Sequence, residues 1–183
     1  MIRRIGLYYL QVIDVVNVIG KAILALLLLW MTFATFTQVL VRFVFTYFGF
    51  SFSAPWTEEL ARYAMIWVVF IGVGIGFRYG MLLSLTFVVN ALGNVLGQAL
   101  RYLALLASLG FLILLVQLGF KFVEFGQIER SPALSWPKTW VYWAMPVGGI
   151  LGCANILAVM IDTWCRGADV RDISMPGGKE TAP

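Results

Sequence analysis

From Ala22 to Val41 the chain runs through 20 residues, AILALLLLWMTFATFTQVLV, without one charged side chain. A helix needs about 20 apolar residues to cross a hydrocarbon layer roughly 30 Å thick. Inside that layer, backbone N–H and C=O groups are satisfied only in a helix or a closed barrel. The run therefore predicts a membrane-spanning helix, and it dictates how the other apolar stretches are read. Composition agrees, because 61% of the 183 residues are apolar and only 12% are charged. Soluble domains carry about a quarter charged residues. The expected class is an all-α integral membrane protein.

The same counts exclude several functions. No histidine is present, which removes the usual proton shuttle and the commonest metal ligand. Cys153 and Cys165 are too few for a thiolate metal site and lie in or near one apolar segment, so neither a metal nor a structural disulfide is expected. The net charge of +4 includes no basic run longer than Arg3-Arg4, so it reads as membrane topology and not as nucleic-acid binding.

Four spans are expected, at about 20–45, 56–78, 99–123 and 139–162, in a single membrane domain over 1–166. The first is too long for a signal-peptide core and no small-residue cleavage site follows it. Met1 to Gly20 reads as a short amphipathic lead-in. The second is specified at its start by Pro55, by Thr57 as a cap, and by Glu58 and Glu59 at the positive end of the helix dipole. Residues 81–123 hold too much apolar length for one span and no room for a turn between two. Asn90, Asn94, Gln98 and Arg101 share one helical face, which places 81–97 flat in the interface as an amphipathic helix between spans two and three. Pro146 should kink the fourth span. Residues 167–183 read as a mobile cytoplasmic tail.

With both termini cytoplasmic, eight Lys or Arg residues fall on the inner side and only Arg130 and Lys138 in outer loops. Tyr47, Trp56, Trp136, Trp140 and Trp143 then form an outer aromatic belt, with Tyr79 and Trp164 at the inner face.

The most informative local pattern is Trp56-Thr57-Glu58-Glu59-Leu60-Ala61-Arg62. Glu58 and Glu59 lie four and three residues before Arg62, so both can reach its guanidinium, and Arg42 falls at similar depth. This neutral set fits a platform for a partner protein, or an internal clamp between spans one and two; the two readings are compatible. It leaves no unpaired acid or base for turnover, so the chain is not expected to be an enzyme. Lys121 with Glu124, and Asp162 with Arg166, read as local ion pairs. Gly72/Gly76 is the preferred candidate for close helix packing; Gly93/Gly97 and Gly148/Gly152 share that spacing. The span centres carry no charges and no internal repeat is evident, unlike a carrier that binds its own substrate. On these grounds the chain reads as an accessory membrane subunit. A redox-complex anchor and a self-sufficient oligomeric exporter are the alternatives.

Those residues, with Ser131-Pro132-Ala133-Leu134, Trp136-Pro137, Tyr142 and Pro146-Val147-Gly148, resemble the small membrane subunit of tripartite ATP-independent periplasmic (TRAP) transporters, the DctQ-type family. The likeness covers nearly the whole chain in length and layout. Tyr79-Gly80 departs from it, since many relatives carry a histidine there. The resemblance implies a bacterial inner-membrane scaffold for a large, sodium-coupled, elevator-type permease. The coupling ions would then sit in that partner, and no cofactor belongs to this chain. It also implies a periplasmic binding protein that delivers an organic acid or acidic sugar. Glu58, Glu59 and Arg62 would form the family's charged element, and Ser131, Pro132 and Trp136 would belong to a periplasmic docking loop. Membrane lipids are the remaining expected partners.

Overall fold

The structure, a computed structural model, describes residues 2–45, 47, 55–79 and 94–166. Four of its helices are long and apolar enough to cross a membrane. Helix α1 covers Ile2–Leu40 and runs into a π-helical turn, Val41–Phe45; α2 covers Pro55–Gly76 and α3 Asn94–Phe125. A single turn, α4 (Thr139–Tyr142), leads into α5 (Ala144–Arg166).

Helix α1 corrects the expected lead-in. Helix continues through 2–20, so that α1 as a whole is about 58 Å long at 1.5 Å per residue, because one stripe of inward-facing residues continues there. Leu10, Ile13, Asn17, Gly20, Leu24, Leu27, Met31, Ala34, Gln38 and Val41 are buried or half-buried, spaced alternately by three and four. This is a period of 3.5, the seam of a left-handed supercoil. The acidic and amide residues of the first 20 positions do not interrupt it, and Gly20 leaves room for the Ile75 side chain, which would come within 2.7 Å of an added Cβ.

Helix α2 starts on Pro55, whose missing N–H costs nothing in a first turn. Thr57 is not the cap expected of it; it is buried inside that turn. The third span begins at Asn94, not at 99, so positions 94–97 are part of α3. Most of the expected interfacial helix 81–97 lies outside the described residues, as does the tail 167–183. At the fourth span the break falls on Trp143, between α4 and α5. Pro146 has no N–H for the carbonyl four residues back, that of Tyr142, where α4 ends.

Helix α5 is the centre of the bundle and packs on α1, α2 and α3. Ala144, Ile156 and Ala158 are fully buried in it. One apolar cluster joins Phe77, Leu105, Leu112, Ile156 and Val159; a second joins Leu10 and Ile13 of α1 to Ala158. Helix α2 lies backbone to backbone against α5. A Cβ on Gly148 would lie 2.6 Å from the Phe70 carbonyl oxygen, and one on Gly74 2.8 Å from that of Gly148. Among the described residues the expected Gly72 contact is not made: a Cβ there would meet nothing within 4 Å. Gly76 is buried. The sequence spacing located small residues correctly but did not show which of them face a neighbour.

Candidate functional site

The charged element of α2 and the loop between α3 and α4 meet at one end of the bundle. Helical spacing turns Glu58 and Glu59 about 100° apart, and they take different partners. Glu58 accepts from Arg62 at 3.1 Å and from the Gln38 amide of α1 at 3.2 Å. Both members of the pair are more than half exposed, where such pairs contribute only about 0–1 kcal/mol. The pair is a surface feature that ties α1 to α2 lightly.

Glu59 is buried and points the other way. Its carboxylate accepts the Tyr63 hydroxyl at 2.5 Å and the backbone N–H groups of Ala133 and Leu134 at 3.1 and 3.2 Å. The hydroxyl of buried Ser131 also bonds it. Glu59 is therefore the anchor of the loop on α2 and does not share Arg62, as the spacing had implied. Among the described residues no ion pair joins Arg42 to either glutamate; Arg42 is exposed on the π-helical turn. The expected four-charge set is thus an Arg62–Glu58–Gln38 surface chain beside a Glu59-centred loop anchor.

The loop is ordered by its own bonds as well. An antiparallel bridge pairs Arg130 with Pro137, and Ser131 N–H donates to the Trp136 carbonyl at 2.9 Å. Ser135 N–H donates to the Ser131 carbonyl at 3.0 Å, with Ser135 in the left-handed region at φ 54°. The Arg130 guanidinium donates to the Ser135 carbonyl at 3.3 Å. At the base of the loop Glu129 pairs with Lys138 and accepts the Tyr142 hydroxyl at 2.8 Å. The Lys138 ammonium, and then that hydroxyl, hold the Glu129 carboxyl below the usual carboxylate range. Pro132 and Trp136 are exposed, as are Trp56, Trp140 and Trp143. The result is a fixed platform with an aromatic rim. Its exposed charged pair is displayed on α2, and its inward acid is spent on holding the loop.

Two further polar clusters escaped the sequence reading. Towards the opposite end, buried Asn17 and Asn155 exchange hydrogen bonds at 2.7 and 3.0 Å, and Asn155 also donates to the Gly74 carbonyl at 3.0 Å. Beyond them Arg78 binds Asp14 at 3.2 Å and Asp162 at 3.3 Å. Asp162 therefore pairs across helices with Arg78; the side chain of Arg166, its expected partner, lies outside the described residues. Lys21 stacks on the Tyr79 ring at 3.9 Å. Lys121 and Glu124 form no ion pair among the described residues. An isolated Asn at an inward heptad position was the available signal for Asn17; its partner 138 residues away was not readable. Among the described residues no group of His, Cys, Asp or Glu is arranged to hold a metal.

Residues 31–166 match the family of tripartite ATP-independent periplasmic transporters, DctQ component. The chain belongs to the DctQ family. A Haemophilus influenzae protein (strain ATCC 51907 / DSM 11121 / KW20 / Rd) with the provisional name TRAP transporter small permease protein is 28% identical over 134 residues, 73% of this chain and 80% of the relative. The DctQ match begins inside α1 and includes every residue of the loop-end platform. This chain is a multi-pass membrane subunit of a TRAP transporter.

Proposed function

We propose that this DctQ-type chain is the static scaffold of its transporter. It braces a large elevator-type permease and presents the α2–loop platform to a periplasmic binding protein. In this reading sodium coupling and selectivity for an organic acid or acidic sugar reside in the partners. The chain carries out no chemistry of its own. It sits in the bacterial inner membrane with both termini cytoplasmic and the loop end periplasmic.

The observation that carries the reading is the Glu59 anchor. A buried carboxylate consumed by loop backbone favours a rigid presenting surface over a transport site. A frame of this kind suits an elevator, whose mobile part moves against something that must not tilt, and interfacial aromatic residues resist tilt.

Arg62→Glu tests the reading cleanly, since the exposed pair contributes little to stability. The variant should insert and accumulate normally, while uptake by the co-expressed three-component system falls several-fold. Normal uptake, with permease co-purifying at wild-type yield, would refute the platform role. Loss of all uptake when the small subunit is omitted is expected; transport by this chain alone in liposomes would refute the scaffold.

A further inference from the structure

Helix α3 carries a second seam on the side away from α5. Leu105, Leu112 and Gly119 face the bundle, whereas Leu103, Ala107, Gly110, Leu114, Gln117 and Lys121 are all exposed. The exposed residues are again spaced alternately by four and three, the period of helix-on-helix packing. A Cβ on Gly110 would meet nothing within 4 Å, so a small-residue notch opens outward at the middle of the helix.

Gln117 decides what this face meets. Arg101 and Lys121 are 20 residues apart, about 30 Å of helix, which is the thickness of the hydrocarbon layer. Gln117 falls between them, about 6 Å short of Lys121. Helical side chains lean towards their N-terminus, so this amide leans away from the nearer polar boundary and into the apolar layer. Between the Arg78 cluster and the loop end, Asn17, Gln38 and Asn155 each hydrogen-bond. Gln117 has no hydrogen bond among the described residues, and neither Lys121 nor Glu124 has an ion-pair partner there. Acyl chains offer an amide nothing. A neighbouring membrane helix offers a hydroxyl, amide or carbonyl, and it can approach closely over Ala107 and Gly110.

We infer that this face of α3 is the intramembrane contact with the large permease. The occupant is a helix that presents a hydrogen-bonding group to Gln117, packs into the notch at Gly110, and meets Lys121 and Glu124 with complementary charge. The inference rests on the scaffold reading and specifies where the scaffold touches its partner.

The test uses the full chain co-expressed with its permease. Benzoylphenylalanine at position 114 should give a photo-adduct with the mass of this chain plus the permease. The same probe at position 29, on the exposed face of α1, should not. Gly110→Leu should lower co-purified permease at least ten-fold and Gln117→Leu about three-fold, with both variants inserted at wild-type levels. Adducts from position 114 with lipid only, or at twice the mass of this chain, would overturn the assignment; so would both variants co-purifying at wild-type yield. If wild-type chain co-purifies while the α3 probes are silent, only this face is wrong. If wild-type chain does not co-purify at all, the scaffold reading falls with it.

Discussion

Glu59 has four hydrogen-bond donors around it: Tyr63, Ser131 and two successive backbone N–H groups of the loop. Leaving a buried donor unsatisfied costs about 1–3 kcal/mol, so the side chain and the loop conformation depend on each other. Glu59→Leu should raise amide hydrogen exchange at Ala133 by ten-fold or more, and less at Leu134, whose N–H also donates to the Ser131 hydroxyl oxygen at 3.2 Å. Glu59→Gln keeps an acceptor oxygen and should preserve most of the protection. Equal exchange in wild type and Glu59→Leu would mean that the loop holds itself through its own bonds alone. The neighbouring Glu58 illustrates how little a residue's type says about its job. One position earlier in the helix, the same carboxylate forms an exposed pair with Arg62.

Among the elements, α2 and α5 approach backbone to backbone, and glycine permits it. Gly148→Ala would drive a methyl group into the backbone of α2 at Phe70, and overpacking of this kind costs about 1–3 kcal/mol. Gly72→Ala points into open space and should be neutral or slightly stabilising through helix propensity. Thermal unfolding in detergent should therefore separate the two substitutions, although both replace a glycine of a small-xxx-small pair. An unchanged midpoint for Gly148→Ala would contradict the packing. The Asn17–Asn155 pair acts at the same scale. In membrane proteins such bonds average about 0.6 kcal/mol, so its main effect is to fix the register of α1 against α5, as a polar residue at an inward heptad position does in coiled coils.

At the scale of the whole molecule, α5 gathers the other spans, and the two ends of the bundle differ in kind. One end holds a pinned loop, exposed tryptophans and a surface ion pair. The other is closed by Arg78 bridging Asp14 and Asp162. The scaffold reading predicts that these ends face opposite sides of the membrane. A cysteine placed at Glu180, with Cys153 and Cys165 replaced by serine, should react with an impermeant maleimide only after the cytoplasmic side is exposed. A cysteine at Trp136 should react in intact cells with a permeable outer membrane. The reverse pattern would invert the topology and remove the periplasmic platform.

Residue chemistry and its periodicity were enough to identify a helical membrane chain and four apolar spans, because hydropathy and helical spacing act locally along the chain; they also singled out Glu58, Glu59, Arg62 and the Ser131–Pro137 stretch, which the fold brings to one end of the bundle. They also supported the DctQ resemblance, through short runs of neighbouring residues. Tertiary structure alone decided that Glu59 serves the loop and not Arg62, that Arg78 recruits Asp14 and Asp162, that Gly148 and not Gly72 is in tight contact, and that the seam of α1 extends back to Leu10. Each of these depends on which face of one helix meets another helix distant in sequence. A carboxylate or a glycine has several neighbours within local reach, and only the packed bundle chooses among them.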